Sequence, residues 1–219
     1  MSLGHGASIV RDGLVLHLDA ANVKSYSGSG TTWYDLSGNG NNGTLVNGVT
    51  YQNLNNGTLT FDGTNQYINI PDSEASRFNH DSPWSISIIV NPISQNTSFP
   101  GYLIKGGSVG DGVVMFYSSS GTYWKHNNQQ TNVIPTVIGQ LVCFTLSYTG
   151  SGSIEGYVNG EYSKQFVAPV STNTTSSLKL GTGDAYGNVN VYNFMKYNKA
   201  LTESEVKQNF EALRGRYGI

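Results

Sequence analysis

The chain has 219 residues and a formal net charge of −2; 12% of its residues are charged and 27 are glycine. This length suits one domain with its own core, and the shortage of charge with abundant glycine favours short strands joined by turns. The absence of a basic stripe excludes a typical nucleic-acid surface, and the absence of a run of about 20 apolar residues excludes a membrane-spanning segment.

The N-terminal residues differ in character from the rest of the chain. Residues 1–12 are predicted to form an arm, because Gly4 and Gly6 weaken local structure, and residues 13–219 are predicted to form a single domain. The first residues lack the apolar core of a signal peptide, so synthesis in a host cytoplasm is expected. Alternating apolar residues from position 14 to position 18 then predict the first strand.

The middle of the chain is a series of alternating segments separated by turn residues. A long turn-rich segment covers residues 22–57, and Asn159-Gly160 predicts a tight hairpin. Strands are predicted at residues 59–61, 67–70, 84–90, 102–105, 112–118, 122–125, 142–148, 154–158, 161–166 and 178–181.

The C-terminal part changes from a strand period to a helical period. The alternation of residues 189–196 predicts a strand with Val189, Val191 and Met195 on one side. Thr202 and Glu205 then form a Thr-x-x-Glu capping box, which predicts a helix from residue 203 to about residue 214. We expect this helix near the edge of the sheets or on a neighbouring subunit.

Several segments together resemble one family. The stretch from Val189 to Val206 resembles the closing motif of the laminin-G-like, concanavalin-A-like jelly rolls, and residues 57–68, 84–92 and 156–161 are similar to other segments of that family in the same order. Residues 12–22 and 25–40 resemble a variant found in tailed-bacteriophage virion proteins. The resemblance implies an all-β fold of two antiparallel sheets in a jelly-roll sandwich, with one short C-terminal helix.

Motifs for catalysis are missing from the sequence. The glucanases of this fold carry a Glu-x-Asp-x-(x)-Glu strand, which places two carboxylates close together, and no such motif is present. The histidines show no metal-type spacing, the serines lack a Gly-x-Ser-x-Gly elbow, and Cys143 lies in an apolar run without a partner histidine. We therefore predict no catalytic residue, no cofactor-binding residue and no enzyme activity.

Calcium is the one cofactor that the sequence leaves open. Residues 35–40 resemble the start of a calcium loop, but the twelfth position is Val46 instead of glutamate, which excludes an EF-hand. Asp62, Asp111 and Asp184 also lie in predicted loops, where aspartate commonly caps turns. No tightly held metal is predicted.

Polar and aromatic residues form two candidate binding clusters. Aromatic rings can stack on sugar faces while amides bind the hydroxyls, although tyrosine-rich surfaces also suit protein interfaces. The candidate glycan-binding or interface residues are Tyr123, Trp124, His126 and Asn127 in one cluster, and Tyr186 and Asn188 in the other.

Two functions are compatible with these observations. The first is a non-enzymatic structural protein of a bacteriophage virion, located in the virion as a capsid decoration, fibre or tail-surface subunit. It would dock on other virion proteins through residues 1–12 or 214–219 and form a homo-oligomer. The alternative is a lectin-like module that recognises host surface glycans. Neither nucleic acid nor membrane is expected as a partner.

Overall fold

The computed structural model describes residues 7–95, 97–106, 112–126, 129–135, 137–167 and 174–219. Its elements in chain order are β1 (Leu14–Asp19), β2 (Thr32–Trp33), β3 (Gly43–Val46), β4 (Thr50–Gln52), β5 (Thr58–Asp62), β6 (Tyr67–Ile70), a 3-10 turn (Glu74–Ser76), β7 (Trp84–Ser94), β8 (Gly101–Lys105), β9 (Val113–Ser118), β10 (Gly121–His126), β11 (Gln129–Ile134), β12 (Val142–Tyr148), β13 (Ser153–Val158), β14 (Glu161–Val167), β15 (Leu178–Leu180), β16 (Asn188–Tyr197) and α1 (Glu203–Tyr217).

The strands form two antiparallel sheets of eight strands each. The first sheet has the order β14-β13-β12-β7-β16-β5-β4, and β1 also pairs with β16. The second has the order β11-β10-β9-β8-β15-β6-β3-β2. The predicted all-β sandwich with one C-terminal helix is confirmed.

Strand β16 organises the first sheet. One edge of it pairs with β7, and the other edge pairs with β5 over residues 188–191 and with β1 over residues 193–197. The predicted alternation of β7 is also confirmed, because Trp84, Ile86 and Ile88 are buried in the core between the two sheets. Ile89 faces the opposite side and belongs to a second apolar cluster.

This second cluster lies beneath helix α1 on the outer face of the first sheet. Val206 and Leu213 of the helix are buried there together with Met195 of β16. The predicted capping box is present, since the Glu205 amide donates to Thr202 Oγ1 at 3.3 Å and the Thr202 amide donates to Glu205 Oε2 at 3.0 Å. The helix therefore covers the face of the sheet, and the prediction that it lies at the edge or on another subunit is wrong.

The C-terminal residues are part of the same packing. The helix continues to Tyr217, beyond the predicted end, and Gly218 ends it with φ 77°. Tyr217 is fully buried, and its hydroxyl donates to Asp19 Oδ1 at 2.6 Å. Tyr217 is thus committed to contacts within the chain, whereas residues 214–216 are exposed, so docking through residues 214–219 stays a prediction.

The N-terminal residues that the structure describes also pack on the helix. The Val10 amide donates to Asn209 Oδ1 at 2.7 Å, and Tyr197 Oη donates to the Val10 carbonyl at 3.0 Å. Residues 1–6 lie outside the described residues, so the predicted arm and its boundary at residue 12 stay a prediction.

Within the described part of the chain, no helix combines the length and the apolar character needed to cross a membrane.

Candidate functional site

A groove of about 760 Å³ lies on the outer face of the second sheet. Its strand residues are Tyr67 of β6, Ile104 of β8 and Lys179 of β15. In β15, Leu178 and Leu180 are buried in the core, so Lys179 between them points outward. Lys179 lies directly opposite Ile104 in the antiparallel register, and the three side chains therefore meet on one surface.

The charges in the groove are distributed unevenly. Lys179 Nζ lies 4.8 Å from the centroid of the Tyr67 ring, which is a cation–π contact. Asp184 in the facing loop is paired with Lys125 of β10, with 2.9 Å between Nζ and Oδ2, and both side chains are mostly buried. The carboxylate of Asp184 is therefore neutralised, whereas Lys179 forms no ion pair within the described part of the chain.

One wall of the groove is a tight loop over residues 181–187. The Gly101 amide donates to the Ala185 carbonyl at 3.1 Å, and the Ala185 amide donates to the Phe99 carbonyl at 3.2 Å. The loop approaches β8 closely because Gly101 has no side chain; a Cβ there would lie 2.0 Å from the Gly183 nitrogen. Backbone hydrogen bonds and close contact thus fix this wall in place.

The rim of the groove at Ser176 is anchored by an ion-pair network of Lys105, Asp72 and Arg77, which we call the rim network. Lys105 Nζ donates to the Ser176 carbonyl at 2.6 Å and to Asp72 Oδ1 at 2.7 Å. Hydrogen bonds from Arg77, and also from Lys105, lower the pKa of Asp72 to about 2. Burial lowers the pKa of Lys105 despite this carboxylate, but its three hydrogen bonds to oxygen atoms favour the charged amine. The network holds Ser176 at the groove.

Seven of the described lining residues of the groove carry a hydroxyl group. Thr97 Oγ1 is buried and has no hydrogen-bond partner among the described residues. Tyr186 is 36% exposed and presents its ring at the surface. A surface with hydroxyls, aromatic rings and a cation suits a polar ligand of the size of an oligosaccharide. The hydroxyl-bearing lining residues are Thr64, Tyr67, Thr97, Ser176, Ser177, Thr182 and Tyr186.

The first predicted cluster does not form one surface. Tyr123 and Trp124 are adjacent in β10, so their side chains point to opposite faces of the sheet. Trp124 is only 2% exposed and packs edge-on against Phe78 in the core, which corrects its prediction as a ring that stacks on a sugar. Tyr123 lies on the outer face, stacked on Phe116 with 5.0 Å between ring centroids.

The other predicted residues have different positions. Tyr186 lines the groove, as described above. Asn188 begins β16, and its Nδ2 donates to Ser94 Oγ at 2.9 Å, so its amide is used within the chain. The side chain of His126 and the whole of Asn127 lie outside the described residues. Whether any of these residues binds a ligand stays a prediction.

Asp35, at the start of the segment considered for calcium, has structural contacts. Asp35 Oδ1 accepts from the His17 and Ser37 amides at 2.9 Å each, and its Oδ2 accepts from the Asn41 amide at 3.0 Å. These bonds hold the long early loop against β1. No group of three or more His, Cys, Asp or Glu residues that could hold a metal occurs among the described residues. Asp111 lies outside the described residues.

Sequence reasoning missed Lys179 and Tyr67. The alternation of residues 178–180 could have identified Lys179 as an outward side chain. The partnership with Tyr67 could not be read in this way, because β15 and β6 are more than 100 residues apart and become neighbours only in the sheet.

The comparisons with known proteins agree on the fold. Residues 62–207 match the laminin G family model described as the concanavalin A-like lectin/glucanases superfamily. The chain is also similar to the binding domain of Paraclostridial mosquitocidal protein 1, with a TM-score of 0.73 and 17% identity over 91% of this chain and 52% of that one. No curated protein sequence matches the chain.

Two further solved structures are carbohydrate-active proteins. Domain 4 of AbnA, an extracellular arabinanase from Geobacillus stearothermophilus solved in complex with arabinotriose, has a TM-score of 0.67 and 19% identity over 90% of this chain and 97% of that one. A sialidase from Trypanosoma rangeli has a TM-score of 0.73 and 17% identity over 99% of this chain and 35% of that one. The chain thus spans one whole domain of the arabinanase but only about a third of the sialidase.

Proposed function

The chain belongs to the concanavalin A-like lectin/glucanase superfamily, and from this premise we propose that it is a non-catalytic domain that binds carbohydrate. The groove on the second sheet is the binding site in this proposal. The observation that carries it is the combination, in one open groove of about 760 Å³, of two tyrosine rings with five serine and threonine residues. This volume lies in the range of about 300–1,000 Å³ that is usual for ligand sites.

The similar structures support a binding role. The arabinanase domain that this chain covers almost completely was solved with arabinotriose, and the mosquitocidal protein similarity is to a part named as its binding domain. At identities of 19% and 17%, the similarity supports a shared fold but does not identify a ligand. The proposal therefore depends on the groove of this chain.

The absence of catalysis is part of the proposal. Glycoside hydrolysis commonly uses two carboxylates on either side of the scissile bond. Asp184 is the one acidic side chain among the described lining residues, and it forms an ion pair with Lys125. Cys143 lies outside the groove, and burial raises the pKa of its thiol to about 11, so it is unsuited to act as a nucleophile.

The virion role is a separate prediction of the sequence. The described contacts and the similar structures do not bear on a virion partner, a virion location or a homo-oligomer, so these stay predictions. Val10 and the apolar face of the helix pack on the first sheet of the same chain, and docking through residues 1–12 or 214–219 stays a prediction.

A glycan array followed by calorimetry tests the proposed function. We expect the protein to bind at least one class of oligosaccharide, and Tyr186→Ala to weaken that binding about tenfold, which corresponds to about 1.4 kcal/mol. Tyr162→Ala is the matched control, because Tyr162 is exposed on β14 of the first sheet. A folded protein that binds no glycan, or a Tyr186→Ala variant that binds as the wild type does, would contradict the proposal.

A further inference from the structure

We infer that the groove selects acidic glycans and that Lys179 binds the carboxylate of the sugar. This inference rests on the proposed function and adds the chemical class of the ligand. It depends on the charge balance of the groove, on how the lysine is held, and on the hydrogen-bonding groups that surround it.

The charge balance of the groove depends on two lysines, of which one has a carboxylate partner and the other has none among the described residues. Lys125 is neutralised by Asp184 at 2.9 Å. Lys179 lines the groove and has no carboxylate partner among the described residues. The described lining therefore carries one uncompensated positive charge, between Tyr67, Ile104 and the loop over residues 182–186.

The lysine is held in place before a ligand arrives. Its Nζ lies over the Tyr67 ring at 4.8 Å from the centroid, and its neighbour across the strand pair is the apolar Ile104. An ammonium group that is already positioned loses less conformational entropy on binding than a free surface lysine does. The aromatic face leaves the N–H donors available, because a π system does not occupy them as a carboxylate would.

The hydrogen-bonding groups around Lys179 favour a ligand rich in acceptors. One oxygen of the Asp184 carboxylate, Oδ2, already accepts from Lys125, which neutralises its charge and leaves Lys179 as the charged group free to bind a ligand. Thr97 Oγ1 is buried without a partner, and it can donate to a ligand oxygen. A sugar carboxylate provides acceptors for both Lys179 and the hydroxyls, in charge-assisted hydrogen bonds stronger than those of a neutral sugar.

The test is an array of matched glycan pairs. Oligogalacturonides, hyaluronan fragments and sialyllactose are each printed beside the form in which the carboxyl group has been reduced to an alcohol. The wild-type protein should bind at least one acidic member about tenfold more tightly than its reduced form, as expected for one charge-assisted contact. Increasing the salt concentration should reduce this difference.

Three variants assign the difference to the groove. Lys179→Gln should make the acidic and reduced forms bind equally, and Lys179→Arg should retain the preference. Lys207→Gln removes the same charge from helix α1 on the other side of the sandwich, so it should leave the preference unchanged. Thermal unfolding of each variant verifies that it is folded.

The outcomes separate this inference from the proposed function. If the protein binds reduced glycans as tightly as the acidic ones, or if Lys179→Gln retains the preference, the inference is wrong and the carbohydrate-binding function stands. If the folded wild type binds no member of any pair and no glycan on the broader array, both fail.

Discussion

The two outer faces of the sandwich differ, because one is covered by the helix and the other carries an open groove. On the first sheet, helix α1 and the residues around Val10 cover the surface, and the apolar residues beneath them are buried in one cluster. On the second sheet, the described residues of the outer face form one small apolar cluster, Val114, Phe116 and Tyr123, and the groove beside it stays open.

The polar groups on the two faces also differ in their hydrogen-bond partners. On the covered face, Asp19 accepts from Tyr217 at 2.6 Å, and Asn209 both accepts from Val10 and donates to Tyr197. On the open face, Thr97 Oγ1 and Lys179 Nζ lack such partners among the described residues. Asn193 Oδ1 on the covered face is also unpaired, so the difference between the faces is Lys179, whose cation has no carboxylate partner among the described residues and is available to a ligand. The comparison therefore assigns tight packing to the first sheet, and it supports the proposal that the second sheet carries the binding site.

Truncating the covered face should give the largest effect. Leu213 of α1 is 3% exposed within the second cluster. We expect Leu213→Ala to lower the free energy of unfolding by about 3 kcal/mol, because it removes buried methyl groups and leaves a cavity. Denaturant unfolding measures this loss, and glycan binding by the folded variant should be unchanged.

The matched control for this prediction is Leu54→Ala. Leu54 is 46% exposed, so its truncation should change the free energy of unfolding by no more than about 0.5 kcal/mol. Equal losses for the two variants, or weaker glycan binding in Leu213→Ala while it stays folded, would contradict the division of roles between the two faces.

The sequence predicts the covered face better than the open one. The alternation of β7 and the capping box at Thr202 are local patterns, and they identify elements that build the first sheet and its helix. In β16 the prediction that Val189, Val191 and Met195 share one face is wrong, because a register shift between Val191 and Asn193 puts the two valines in the core and Met195 in the second cluster. The groove depends on β15 pairing between β8 and β6, which brings together segments far apart in the chain. Period-two reasoning separates Tyr123 from Trp124, but it does not tell which of them faces the core.

Changing the wall of the groove should give the next largest effect. In Gly101→Ala, the new Cβ would collide with the backbone of Gly183, so the loop over residues 181–187 has to move. We expect a loss of about 2 kcal/mol in the free energy of unfolding, together with weaker glycan binding. Urea unfolding and calorimetry with the best array ligand measure the two effects.

Gly215→Ala is the control for this substitution. Gly215 lies in α1, and a Cβ there would have open space around it, so alanine should keep or slightly raise stability. If Gly101→Ala binds glycans normally, the closely packed loop is not required for the groove, and the open face tolerates more variation than we propose.

The rim network gives the smallest effect and the most specific signature, which is its dependence on pH. The pKa of Asp72 is lowered to about 2 by Arg77 and Lys105. Its stabilisation is therefore present above the ordinary aspartate pKa near 4 and is lost as the pH falls towards 2. We expect Asp72→Asn to lower the free energy of unfolding by about 1 kcal/mol at pH 7, because solvent screens this ion-pair network, and this difference from the wild type should shrink towards zero as the pH falls through 2. Urea unfolding from pH 7 down to pH 2 measures it. A constant difference at all pH values would mean that the loss comes from packing at the Ser176 rim and not from the charge of Asp72.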